Sequence, residues 1–195
     1  MTVTTEIADK LSALPEASAV ALRLRTDQYF DAIQGMLDNF AGKKNLEIVY
    51  VTSTIPSQSI IHALEVLEIP LDHIWFVDCI SQIMMAAAKR HPHAIAVESP
   101  TMLENLMLKV EFLLRRHRDR TALVILDSIN SLAIHNNTKI LSEFLHILVN
   151  NLRSHGAYTV IFSMREYETE DIRNMLVLVS DETIELGHDL KALAE

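Results

Sequence analysis

Short apolar runs and helically spaced apolar stripes alternate along most of the chain. Residues 17–24 read as an apolar strand. The stretch 27–41 then carries Phe30, Ile33, Leu37 and Phe40 at helical spacing, with Gly42 as the expected stop. Residues 46–52 predict a second strand, and 57–67 a helix with Ile60, Ile61, Leu64 and Leu67 on one face. A short strand follows at 73–77, then a helix over 81–90. His91-Pro92 ends that helix, because proline disfavours helical geometry in the residue before it. Residues 94–97 predict a brief strand or extended link. Ser99-Pro100 then reads as the N-cap and first residue of a long helix that turns Leu103, Leu106, Met107, Val110 and Leu114 inward. Residues 121–127 are a nearly unbroken apolar run, the pattern of a strand covered on both faces. A helix over 139–155 holds Ile140, Phe144, Leu148 and Leu152 in register and ends at Gly156. Residues 158–163 and 175–179 predict further strands, with 183–186 as a hairpin partner. Residues 1–16 read as an N-terminal extension or helix.

Strand–helix alternation with continuous apolar strands predicts an α/β fold: a mainly parallel sheet with helices on both faces, in a single domain over 1–195. Ligands bind such sheets at the carboxyl ends of the strands. Function is therefore expected at 23–27, 53–57, Asp78, 127–130 and 163–166.

Composition narrows the partners. At 195 residues, 49% apolar and 22% charged, the chain is an ordinary globular one with enough length for one core. No apolar run approaches the ~18 residues that span a bilayer, so no membrane partner is expected. The single Cys79 excludes an internal disulfide framework and suits a reducing cytoplasm. A formal net charge of −9 argues against nucleic acid, whose binding is driven by basic residues. The one basic cluster, Arg115, Arg116, His117, Arg118 and Arg120, reads as a helix C-terminus complementing the macrodipole, or as a surface for an acidic partner. The acidic residues Glu166, Glu168, Glu170 and Asp171 read as a solvated loop and a place for a basic partner. His91-x-His93 offers two metal ligands at most, and Cys79 has no catalytic neighbour in sequence.

The sharpest motif is Thr121-Ala-Leu-Val-Ile-Leu-Asp127-Ser128, an apolar strand ending in an acid and a hydroxyl. It has the form of a Walker B strand, whose aspartate holds Mg²⁺ on a nucleotide. From Glu98 to Arg165, a long helix, this strand, another long helix and the strand of H-G-A-Y-T-V-I-F-S-M-R-E follow in order. Together with D-E-T-I-E-L at 181–186, this series resembles the RecA-like ATPases, on the KaiC and RadA side, over residues 17–187. The resemblance implies a three-layer RecA-like fold and makes Asp127 and Ser128 the counterparts of the Walker B pair, with Asp127 the ligand if Mg²⁺ is bound.

Three departures stand beside it. No G-x-x-x-x-G-K-[ST] occurs, and the loop after the first strand, Arg25-Thr26-Asp27-Gln28, has neither glycine nor lysine to wrap a phosphate. An acid at that helix start occupies the place of a phosphate and repels it. The second strand runs into Ser53-Thr54-Ile55-Pro56, where such enzymes carry paired acids. The family's late strands with basic residues that reach a neighbour's nucleotide have no counterpart after 186. The expectation is a non-catalytic domain, a pseudo-ATPase with a vestigial Walker B at Asp127 and Ser128. It would act as an adaptor, a regulator or an oligomer subunit, pairing with itself or with a RecA-like ATPase, and no cofactor is expected. The alternative is a nucleotide binder or ATPase with a non-standard loop, in which Arg23, Arg25 and Thr26 contact phosphate and Asp127 holds the Mg²⁺ of Mg-ATP. A receiver-like or flavodoxin-like fold with Asp78 and Asp127 in an acidic pocket is a further reading. Structurally, Asp127 can instead bond the following backbone amides and begin a turn, and Arg23 and Arg25 can form salt bridges at the sheet edge.

Overall fold

The computed structural model describes residues 2–84 and 91–187. Seven strands form one sheet in the order β4-β3-β2-β5-β6-β1-β7. They are β1 (Ala19–Leu24), β2 (Glu47–Thr52), β3 (Ile74–Asp78), β4 (Ala94–Ala96), β5 (Ala122–Asp127), β6 (Tyr158–Met164) and β7 (Glu182–Glu185). Every neighbouring pair is parallel.

Helices cover both faces, because the inner strands β1, β2, β5 and β6 are buried on both sides. Leu22, Tyr50 and Ile125 join one core with α1 (Val3–Ser12), α2 (Tyr29–Gln34) and α3 (Ser57–Val66). Ala21, Val51 and Leu126 join the other with α5 (Leu103–Arg116), α6 (Ile129–His135), α7 (Thr138–Ser154) and α8 (Glu170–Val179). A four-residue helix, α4 (Ser81–Met84), follows β3; the rest of the helix expected over 81–90 lies outside the described residues. Residue parity then fixes the key acid. Asp127 follows Leu123 and Ile125 on the α1–α3 side of the sheet.

Several sequence expectations are corrected. The helix over 27–41 is three pieces: a 3₁₀ turn Thr26–Gln28, α2, and a π-helical stretch Gly35–Gly42. The π stretch lies against α1, and a Cβ at Gly35 would overlap Ile7 and the Thr4 backbone, so glycine lets the two helices touch. Gly42 is not the stop; Asn45 is, with φ +53°. Phe30 and Ile140, placed inward by their spacing, are exposed. Ser99-Pro100 does not open α5, which starts at Leu103 after a turn in which Ser99 Oγ accepts from Thr101 N at 3.2 Å. Residues 175–179 are not a strand but the second half of α8, whose buried Ile172, Met175, Leu176 and Val179 follow helical spacing. Thr183 and Ile184 belong to β7, which pairs in parallel with β1 rather than as a hairpin.

Candidate functional site

The carboxyl ends of β1, β2, β5 and β6 meet around Asp127. Parallel register puts Thr52 beside both Asp78 and Asp127, so the two acids stand in one row with β2 between them. Asp127 is fully buried. Its Oδ2 accepts from the Tyr50 hydroxyl at 2.7 Å and from the Tyr29 hydroxyl, and its Oδ1 accepts from Thr54 Oγ1 at 3.1 Å. Tyr29 is the first residue of α2, the helix that follows β1. Burial pushes the Asp127 carboxyl above its ordinary range, against the pull of the three hydroxyls. Burial, then the charge of Asp127, pushes the Tyr29 and Tyr50 hydroxyls up as well, so both stay protonated as donors. Asp127 does not bond the following amides. That part falls to Ser128, the N-cap of α6, whose Oγ accepts from Ser131 N at 3.4 Å.

Arg23 and Arg25 are turned to carboxylates. Arg23 meets Glu168 at 2.8 and 2.9 Å and also pairs with Glu185. Glu168 further accepts from Ser163 Oγ at 2.7 Å and Arg173 Nε at 3.0 Å. Partial burial raises its pKa, but these donors outweigh that and hold the carboxyl below its usual range. The acidic run is therefore not all solvated loop. The Glu168 side chain is only 1% exposed, and Glu170 and Asp171 begin α8. Arg25 forks onto Asp27 at 2.7 and 2.9 Å, and the Thr26 amide donates to Glu166 Oε1 at 3.0 Å. The helix start is capped by Gln28, whose Oε1 accepts from Arg25 N at 3.1 Å, rather than by Thr26 or Asp27.

Above Asp127 opens a cleft of about 940 Å³, reaching from Thr26, Tyr29 and Phe30 to Met164, Tyr167 and Met175. The strand ends singled out from the sequence supply part of its lining, at Thr26, Thr54, Ile55, Ser128, Asn130 and Met164. Most of its wall is apolar, and among the described residues lining it Asp171 is the only charged one. The missed wall comes from α6 and α8, through Ile134 and Ile172. The spacing of 172, 175, 176 and 179 is the signal that would have found the second of these helices.

The remaining candidates are accounted for locally. Asp78 accepts from the amides of Ser57, Ile80 and Ser81 and from Ser81 Oγ, at 2.6–3.0 Å. Cys79 is buried, and burial pushes its thiol up to about 12, which leaves it inert. His93 stacks on Trp75 at 4.3 Å between centroids, and its Nδ1 lies 3.0 Å from Leu71 O. Among the described residues no three histidine, cysteine or acidic side chains are grouped to hold a metal. The basic cluster sits at the end of α5, where Arg115 pairs with Glu111 and Arg116 lies over Trp75. No described helix is long and apolar enough to cross a membrane.

No protein-family model and no curated protein matches the sequence. The fold does find a match. KaiC-like protein PH0186 from the hyperthermophilic archaeon Pyrococcus horikoshii OT3 superposes with a TM-score of 0.63 at 15% identity, over 91% of this chain and 75% of that one. At that identity the likeness is one of fold, and the fold is RecA-like α/β.

Proposed function

We propose that this chain is a non-catalytic RecA/KaiC-like domain, a pseudo-ATPase that serves as an adaptor, regulatory or oligomer-forming subunit. One observation carries the reading: the Asp127 carboxylate, the counterpart of a Walker B acid, is fully buried beneath two tyrosines and bonded by three hydroxyls. A Mg²⁺ ion would need an oxygen of that carboxylate at ~2.1 Å, or free to accept from one of the ion's waters, and open positions for water and phosphate. Both oxygens are taken up by protein donors, and Tyr29 comes from the helix at whose start a phosphate would bind.

The cleft supports the same reading. Its described lining contains no lysine or arginine to neutralise phosphates, while Arg23 and Arg25 meet Glu168, Glu185 and Asp27. The residues present do not fit a Mg-nucleotide. What is left is a well-packed RecA-like scaffold with an open apolar face at its ligand edge, the property of a surface that binds protein. The partner would be a second copy or a RecA-like ATPase subunit.

A thermal-shift titration with Mg-ATP and Mg-ADP, run beside light scattering, tests this. The expected result is no shift at millimolar nucleotide, with a scattering mass above that of one chain alone or with a RecA-like ATPase added. Nucleotide that binds only the folded state stabilises it by ~2.7 kcal/mol at a hundredfold excess over Kd. A shift of that size, lost in Asp127→Asn, would overturn the reading.

A further inference from the structure

The cleft above Asp127 has a chemical character of its own. Its rim carries three large apolar side chains in solvent: Phe30 at 47%, Tyr167 at 69% and Ile134 at 80% exposed. They come from three separate elements, α2, the turn after β6 and α6, so no single loop accounts for them. Between them the wall continues inward through Ile55, Met164 and Ile172. Such a surface excludes water only when an apolar partner covers it.

Charge narrows the partner. Among the described lining residues there is one carboxylate, Asp171, and no cation. Asp171 lies in the first turn of α8 and is exposed. Glu170 stands beside it in the same turn, and the chain as a whole carries −9. Three aromatic residues, Tyr29, Phe30 and Tyr167, line the same space, and aromatic rings attract cations. An anionic apolar ligand would meet a carboxylate and no counter-charge. An apolar ligand with a lysine or arginine would meet both Asp171 and the rings.

Size narrows it further. About 940 Å³ lies at the upper end of the ~300–1,000 Å³ of small-molecule sites. The exposed rim extends the apolar surface beyond that space. An amphipathic helix laid into a groove covers both the pit and its rim, with anchors one turn apart.

We infer that the cleft is a docking groove for a basic amphipathic helix of a partner protein. The helix seats apolar side chains between Phe30, Ile134 and Tyr167 and places a lysine or arginine at Asp171. This rests on the non-catalytic reading above, and it specifies what the edge binds in place of nucleotide.

The test is fluorescence anisotropy with two labelled helical peptides, identical in their leucines and differing only in lysine or glutamate at the polar positions. The lysine peptide is expected to bind and the glutamate peptide to bind at least roughly tenfold more weakly. Ile134→Asp should weaken the lysine peptide roughly tenfold, because it sets a charge where an apolar side chain of the helix would seat. Asp171→Lys should weaken it several-fold. Ile147→Asp, a change at another exposed isoleucine on α7 that does not line the cleft, should leave binding unchanged. Circular dichroism checks that each variant is folded. Equal binding of both peptides, binding of neither, or equal losses in the Ile134 and Ile147 variants would overturn the groove and leave the non-catalytic reading standing. Displacement of the peptide by Mg-ATP would instead overturn the non-catalytic reading beneath it.

Discussion

Asp78 and Asp127 end two strands of one sheet, flank the same Thr52, and are both buried, yet they are held in opposite ways. Asp78 accepts mainly backbone amides, including that of Ser57 at the start of α3. Burial works against its charge, but the bonds from Ser57 and Ser81 outweigh that and hold its carboxyl below the usual range. Asp127 accepts hydroxyls alone, and for it burial wins. Amides are fixed donors with nothing else to bond, and a helix start adds positive potential. Tyrosine hydroxyls supply no such field. A strand-end acid is thus a tie between loops in one row position and a sealed charge in the next. Position at the carboxyl edge does not by itself mark a functional acid.

Truncation separates the two most strongly. Asp78→Ala leaves three amides without their acceptor and loosens both α3 and the turn at Ser81. It is expected to lower unfolding free energy by about 3 kcal/mol, read as a fall in urea midpoint at constant slope. Asp127→Ala strands the Tyr29 and Tyr50 hydroxyls in the core but also removes an unfavourably buried charge, so its cost should be about 1–2 kcal/mol. Asp127→Asn keeps an acceptor for the tyrosines and should match or exceed the wild-type midpoint. An Asp127→Asn protein as damaged as Asp127→Ala would mean that the charge itself is needed, as in a metal site.

The same contrast marks what could be read from the chain. The β5 run 121–127 and the row it ends in were legible, because a strand buried on both faces has no polar interruption. The parallel α/β sheet followed from strand–helix alternation, and its RecA-like order was implied only by the resemblance over 17–187. The seal on Asp127 was not legible. Tyr29 and Tyr50 lie 98 and 77 residues from it in sequence, and only the β2–β5 register and the start of α2 bring them together. Arg23 and Glu168 each stand out in the sequence, but their pairing across 145 residues depends on β1 lying beside β6. Residues 175–179 went astray because Met-Leu-Val-Leu-Val is a strong strand composition. Packing against α6 and α7 overrides that local preference.

Acid titration gives a smaller effect whose sign is the readout. The folded pKa of Asp78 lies below its unfolded value near ~3.9, so its stabilisation is complete above that pH and is lost as pH falls through the folded value. Glu168 and Asp181 are depressed too and act in the same direction. Asp127 has the opposite sign. Its folded pKa is raised, so the folded state holds the proton more tightly, and stability falls as pH rises through the window between the unfolded and folded values. The melting temperature of Asp127→Asn should therefore gain on wild type as pH rises from ~4 towards neutrality. That of Asp78→Asn should instead fall behind wild type as pH rises through the range below ~4 and keep a constant gap above it. Parallel curves for the two variants would erase the distinction between the acids.

The smallest change asks what does the sealing. Tyr29→Phe removes one hydroxyl and keeps the ring, which packs edge-on to Phe30 at 5.0 Å and to Phe162 at 6.1 Å. Tyr50 and Thr54 still donate to Asp127, so the cost should be at or below about 1 kcal/mol. One fewer donor stabilises the carboxylate less, and the pH window over which Asp127 destabilises the fold should widen upward. The ring still covers the carboxylate, so Mg-ATP should bind this variant no better than wild type in the thermal-shift assay. If removing a single hydroxyl made the protein responsive to Mg-ATP, Asp127 would be a latent metal ligand held shut by one bond. The contrast with Asp78 would then be between a structural acid and a gated one.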